Sequence, residues 1–299
     1  MREKLTKYYK DKSVSIRIIF WILIIWIIVI QFIWPKNPAK EWLNFAGEMM
    51  PITGQYAVNQ ERFDRELALT VINWGQFAMI HKREWLFFPY IEKELKKAWL
   101  PDDLKYLAVA ESSLRDAVVS EAGAAGLWQF MPWTATSHWL IVNKTIDERF
   151  DYKKETQVAI AYLKNLYARF GDWNLVAAAY NMWENWLQRS IDAQSTDSYY
   201  NLWLNPETSR YVFRILAMKY LMEHRYSYFD SDFLWEKYSP MKTKEIEVSD
   251  IQDLSLRASQ NGYSYYMIRK INPWILTNKL DGTYKIQILD FALLLPEIL

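Results

Sequence analysis

Glu111 stands in the run Pro101-Asp-Asp-Leu-Lys-Tyr-Leu-Ala-Val-Ala-Glu-Ser-Ser-Leu-Arg115, seven residues after Leu104 and three before Leu114. In a helix that spacing puts it on one face with Leu104, Leu107, Ala108 and Leu114, while Asp102 and Asp103 suit the helix start. A carboxyl on a core-facing stripe loses hydration, which raises its pKa and keeps its proton near neutral pH. A general acid needs that state, and glycosidic cleavage is one reaction that uses it. The same placement also suits a structural carboxylate held by a buried partner, or one at the wet edge of the stripe.

Two further segments carry polar groups of the right kind. Ser120-Glu-Ala-Gly-Ala-Ala-Gly-Leu-Trp-Gln-Phe-Met-Pro132 combines small residues, which permit close backbone approach, with Trp128, Phe130, Met131 and the amide of Gln129. Ala177-Ala-Ala-Tyr-Asn181, on a helix starting near Asn174, offers a phenol and an amide side by side at Tyr180 and Asn181. Each segment alone also reads as ordinary packing: a tight helix junction in the first case, capping in the second.

Helical periodicity runs from about Gln60 to Arg225. Its apolar stripes are Phe63-Leu67-Val71, Phe88-Ile91-Leu95, Val158-Tyr162-Leu166-Phe170 and Val212-Ile215-Met218-Met222. Breakers at Pro101, Gly123 with Gly126, Gly171-Asp172 and Asn205-Pro206 divide it into short helices, which predicts an all-α orthogonal bundle. After Pro240 the pattern changes. Lys244–Ser249 alternates as a strand does, Asp250 is the expected N-cap of a helix to Gln260, Tyr265–Ile271 reads as a second helix, and Gly282–Leu289 alternates again. The order is β-α-α-β.

Ile18–Trp34 reads IIFWILIIWIIVIQFIW, with Gln31 its one polar residue, and Pro35 ends it. It is long enough to span a bilayer and lacks a following cleavage site, so it predicts a transmembrane anchor. Arg2, Lys4, Lys7, Lys10, Lys12 and Arg17, against Glu3 and Asp11, keep residues 1–17 cytoplasmic and place the body outside. The whole chain carries +1 and this segment +4, leaving −3 for the rest, which gives no electrostatic footprint for nucleic acid. Three His and no Cys argue against a zinc site, a thiol nucleophile or a disulfide framework, and no metal is expected at the site.

Taken together and in order, Glu111-Ser112, Gly126-Leu-Trp-Gln129 and Ala179-Tyr-Asn181 resemble the soluble-lytic-transglycosylase, goose-lysozyme-like family. Leu100–Arg115, Asp147-Glu-Arg-Phe-Asp151 and Phe170-Gly-Asp-Trp173 look like its membrane-bound lytic murein transglycosylase branch. The resemblance covers about Phe88 to Leu221, and the last segment, with Asn272-Pro-Trp274, looks like a LysM glycan-binding module. The fold so implied is mainly α: a lysozyme-like orthogonal helical domain after an N-terminal transmembrane helix, with a small C-terminal β-α-α-β unit. The expected division is 1–17 cytoplasmic, 18–34 anchor, 35–85 helical linker, 86–240 catalytic domain and 241–299 LysM-like module.

The implied activity is cleavage of peptidoglycan glycan strands between N-acetylmuramic acid and N-acetylglucosamine, without water and without a cofactor. Glu111 would be the single acid/base and would leave 1,6-anhydro ends. By the same resemblance, Tyr180 would hydrogen-bond Glu111, Gln129 and Asn181 would hold the sugar, and Ser112 would support the turn. A lysozyme-type hydrolase using the same glutamate is the alternative, followed by a membrane-tethered binding scaffold, against which the presence of Glu111 argues.

The composition holds one anomaly. There are 8 Gly and 16 Trp in 299 residues, where the usual Gly share of about 7% would give about 21. The resemblance expects Gly at Trp99, Trp133, Trp139 and Trp183, but Trp at Trp128, Trp173 and Trp274. The sequence thus predicts that some tryptophans here are glycine in the native chain, through a codon reassigned to glycine and translated as tryptophan.

Overall fold

A computed structural model describes residues 43–228 and 237–290; the expected anchor at 18–34 and the basic segment before it lie outside these. Among the described residues no helix is long and apolar enough to cross a membrane. The described chain is mainly helical, with one small hairpin at its start and a β-α-α-β unit at its end.

The hairpin pairs β1 (Asn44–Phe45) with β2 (Glu48–Met49). Then follow α1 (Val58–Ile72), α2 (Trp74–Lys97), α3 (Lys105–Ser112), α4 (Pro132–Ser137), α5 (Tyr152–Phe170), α6 (Trp173–Met182), α7 (Glu184–Gln194), α8 (Thr208–Glu223) and the single turn α9 (Arg225–Tyr228). The expected breakers fall between these elements. α8 is buried nearly all round, through Tyr211, Val212, Phe213, Ile215, Leu216, Ala217, Tyr220, Leu221 and Met222. A helix buried over most of its surface belongs at the centre of a bundle, and α1, α3 and α6 pack around it.

Residues 35–85, expected as a helical linker, are something else in their described part. Leu43, Phe45, Met50 and Phe63 belong to the main core, and α2 runs unbroken across position 85. Glu48 explains why the hairpin docks. Its carboxylate accepts from the backbone N–H of Trp173 at 2.7 Å and Asn174 at 3.1 Å, and from Asn174 Nδ2 at 2.8 Å. It thereby fills the unsatisfied donors at the start of α6 beside the N-cap Asp172. Burial, and then the neighbouring Asp172 charge, push Glu48 up to about 7 against the pull of those amides.

The C-terminal unit is β3 (Thr243–Ile251), α10 (Leu254–Gln260), α11 (Tyr265–Ile271) and β4 (Leu280–Leu289), with the strands antiparallel. The expected order holds. Asp250, however, does not cap the first helix. The strand runs on through it to Ile251 with a register shift, and Asp253 is the N-cap, accepting from Leu256 N at 2.9 Å. A bulge uses up the extra residues, and an alternating pattern does not announce a bulge.

This unit has its own apolar core around Leu254, Ile268, Trp274, Ile275, Leu280, Ile286 and Ile288, yet Ile146 from the helical body sits inside it. The backbones join there too. Asp147 N donates to Trp274 O at 2.9 Å and Leu276 N donates to Thr145 O at 2.8 Å. Ile146→Ala should therefore loosen the C-terminal unit although it lies outside it, by about 3 kcal/mol. The expected readout is faster amide exchange in β3 and β4. Unchanged exchange in those strands would mean that Ile146 does not support the unit.

Candidate active site

Glu111 lies in the last turn of α3, which ends where Ser113 takes a left-handed backbone at φ +55°. Leu104, Leu107, Ala108 and Leu114 are all buried beside it, as the helical register requires. Its Oε1 accepts a hydrogen bond from the hydroxyl of Tyr211 on α8 at 2.5 Å. The residue keeps a partial opening to solvent. Burial raises the carboxyl to about 7, opposed by the Tyr211 hydrogen bond and the Arg214 charge and reinforced by Glu207. Tyr211 is itself buried, and burial together with the Glu111 charge drives its own pKa far above the ordinary phenol value. It is therefore a fixed neutral donor.

Tyr180 stands elsewhere in the network than expected. Its hydroxyl donates to the backbone oxygen of Trp128 at 2.7 Å, not to Glu111. Burial and the nearby Glu111 charge raise it well above the ordinary phenol range, and its ring packs on Phe130 and Tyr162. The phenol bonded to Glu111 comes from a helix 100 residues along the chain.

Gln129 has a left-handed backbone at φ +54°, and its Nε2 donates to Gly126 O at 2.7 Å and Val118 O at 3.3 Å. Ser112 is buried. Its hydroxyl donates to Ala108 O at 3.0 Å and accepts from Arg115 N at 3.3 Å, so it braces the helix end. Asn181 Oδ1 accepts from Thr208 Oγ1 at 2.7 Å, and Asn205 Nδ2 donates to that same hydroxyl at 2.9 Å. α6 is thus tied to the start of α8, the helix that carries Tyr211.

The loop with Gln129 is held by two buried charges that sequence reading did not single out. Glu155 on α5, fully buried, accepts from Leu127 N at 2.7 Å and Trp128 N at 2.9 Å. Arg149 pairs with Asp147 at 2.6 Å and donates to Gly123 O at 2.8 Å and Phe130 O at 3.0 Å. Burial raises the Glu155 carboxyl well above its ordinary value, against the pull of the two amides. Gly126 must be glycine here. At φ +88°, a Cβ would stand 1.9 Å from Arg149 O and 2.5 Å from Glu155 Oε1. One signal for Glu155 was present: it is three and four residues before Val158 and Ala159 of the α5 stripe, the register logic that singles out Glu111.

Glu121 is exposed and Glu184 accepts from the Tyr162 hydroxyl at 2.8 Å. Among the described residues no group of three or more His, Asp or Glu side chains is placed to hold a metal ion. What the arrangement offers is one carboxyl that carries a proton near neutral pH, a fixed phenol that donates to that carboxyl, and a braced amide-bearing loop nearby.

Residues 88–203 match the family model of the transglycosylase SLT domain, and residues 244–292 that of the soluble lytic transglycosylase C-terminal LysM-like domain. The chain is 32% identical over 145 residues to membrane-bound lytic murein transglycosylase D of Escherichia coli strain K12 and, equally, to the protein of that name from a second Escherichia coli strain. That match takes in 46% of this chain and 32% of each relative, so it spans about a third of their length. Among solved structures, an inactive mutant of lytic transglycosylase Slt from Pseudomonas aeruginosa is similar at 20% identity and a TM-score of 0.39, over 51% of this chain and 26% of that one. The 70 kDa soluble lytic transglycosylase of Escherichia coli is similar at 20% identity and a TM-score of 0.40, over 50% and 26%.

The raised Glu111 carboxyl has a thermodynamic consequence of definite sign. Between the ordinary 4.5 and about 7, the unfolded chain is ionised while the fold still holds its proton. Stability therefore falls as pH rises through that window, and above it the full cost is about 3 kcal/mol. Glu111→Gln keeps an acceptor for Tyr211 and removes the ionisation. The variant should be more stable than the parent at about pH 8, with the difference vanishing at about pH 4. Chemical denaturation at the two pH values measures this. A variant less stable than the parent at the higher pH would mark Glu111 as a paired structural carboxylate.

Proposed function

We propose that this protein is a membrane-anchored peptidoglycan lytic transglycosylase in which Glu111 is the sole acid/base. The observation that carries the reading is a carboxyl raised to about 7, within the matched SLT segment, whose one described hydrogen-bond donor is a buried phenol. Protonated Glu111 gives its proton to the glycosidic oxygen as the muramyl C1–O bond breaks. The resulting carboxylate is stabilised by the Tyr211 O–H, which strengthens as charge develops. The substrate's own acetamido group supports the positive C1. The muramyl 6-hydroxyl then closes on C1 and returns its proton to Glu111. One bond is exchanged for another, the enzyme ends as it began, and no water is consumed.

In this reading Gln129 and Asn181 hold the sugar and Ser112 keeps the helix end in shape. Tyr180 contributes through the Trp128 carbonyl rather than by touching Glu111, and Tyr211 is the positioning residue for the acid. The proposed organisation keeps an anchor at 18–34 and a LysM-like glycan binder at 241–299, and extends the catalytic domain expected at 86–240 back to the hairpin at Asn44, which shares its core, with that domain outside the cytoplasm. The names of the similar proteins and the matched C-terminal domain support this assignment.

Digestion of purified sacculi with mass spectrometry of the products tests it. The expected products carry 1,6-anhydro ends, which lack one water relative to hydrolytic ends, and Glu111→Gln releases none while still binding sacculi. Products with ordinary reducing ends would assign a lysozyme-type hydrolase instead. Continued release by the Glu111→Gln variant would remove Glu111 from the chemistry.

A further inference from the structure

Three helices of the described chain end in the same turn. After α10, Gly262 N donates to Ser259 O at 3.1 Å and Tyr263 N donates to Ala258 O at 3.0 Å, with Gly262 at φ +74°. After α2, Trp99 N donates to Lys96 O at 3.1 Å and Leu100 N to Leu95 O at 3.0 Å, with Trp99 at φ +59°. After α4, Trp139 N donates to Thr136 O at 3.1 Å and Leu140 N to Ala135 O at 3.0 Å, with Trp139 at φ +70°. This paired pattern is the Schellman cap, whose left-handed residue is glycine by default because a Cβ is strained there. One of the three has glycine. Two have the bulkiest side chain available.

A third tryptophan repeats the anomaly. Trp183 joins α6 to α7 at φ +76° and ψ 133°. That lies near the part of backbone space that glycine alone visits readily. Tryptophan thus supplies three of the nine described non-glycine residues with positive φ, the others being Ala46, Ser113, Leu114, Gln129, Ser195 and Asp250.

At the two helix caps the side chains do nothing to offset the strain. Trp99 is 94% exposed and Trp139 is 91% exposed. The ring of the half-buried Trp183 packs at a tilt against another tryptophan, Trp133, with centroids 4.5 Å apart. Trp128 is the contrast: it is fully buried, its Nε1 donates to Thr156 Oγ1 at 3.0 Å, and its φ is not positive. Trp173 and Trp274 are likewise buried on ordinary backbone. Rings kept as sugar-stacking platforms would lie on ordinary backbone around one cleft, whereas Trp99 and Trp139 end two different helices.

We infer that positions 99, 139 and 183 carry glycine in the protein as its source makes it, the codon written here as tryptophan being read there as glycine. The backbone gives no such ground at Trp133, which lies inside α4 without a positive φ. The inference does not depend on the proposed activity, but it changes the site. Glycine at 183 removes the ring on which Trp133 lies and opens the surface next to Tyr180 and Asn181.

Peptide mass spectrometry of the chain isolated from its source reads the three positions directly. Glycine at all three is expected, with tryptophan retained at Trp128 and Trp173. Tryptophan at any of the three overturns the inference. A recombinant chain provides an independent reading. Replacing Trp99, Trp139 and Trp183 by glycine together should raise the melting temperature by roughly 5 °C or more, whereas Trp128→Gly alone should lower it. A lower melting temperature for the triple variant would likewise overturn it.

Discussion

Removing one carboxyl from water is the constraint around which this molecule is arranged. A glutamate at the surface of α3 would ionise at its ordinary value and be useless as an acid near neutral pH. Burial against the α1, α3, α6 and α8 core lifts it to about 7, and the Tyr211 hydroxyl, followed by the Arg214 charge, keeps the lift from going further. The balance is narrow by construction: more donors would restore the ordinary acidity, and none would leave a proton too tightly held to give away. The surrounding core must offset a cost of about 3 kcal/mol, a large fraction of a domain's net stability. The nearly all-round burial of α8 meets that demand and at the same time fixes the phenol.

The loop opposite is held by the same kind of device used for a different end. Glu155 is also buried and also raised, but it accepts two backbone amides, and Arg149 ties the neighbouring carbonyls. Together they fix a segment that has almost no regular secondary structure. Gly126 is the close-approach point that lets the loop lie against Arg149. The C-terminal unit reaches this region through Ile146 and the backbone of Asp147, whose side chain holds Arg149. A perturbation of that unit therefore has a short physical route to the Gly126–Gln129 loop.

Much of this was legible in the sequence, for identifiable reasons. The core-facing position of Glu111 showed itself because its neighbours at helical spacing are apolar, and both C-terminal strands and Tyr265–Ile271 showed through alternation and turn residues. Tyr211 did not, because a partner a hundred residues away leaves no local signature. The Tyr180–Glu111 bond that the family resemblance implied is not made, because Trp128 O takes the hydroxyl and no local pattern reveals which acceptor wins. Asp250 gave way to Asp253 as a cap because a bulge absorbed the intervening residues. The strained positions lie between these cases: composition and the family resemblance pointed to Trp99, Trp133, Trp139 and Trp183, and the backbone gives a physical ground at three of them but not at Trp133.

The most direct measurement of the central claim is a titration of the Glu111 side-chain carboxyl by carbon-13 NMR, with Tyr211→Phe alongside. A midpoint near 7, moved upward when the Tyr211 hydroxyl is removed, is the result expected of a desolvated acid held in check by one phenol. A midpoint at the ordinary 4.5, unmoved by Tyr211→Phe, would show that Glu111 is solvated and ionised and that the acid of this site is not there.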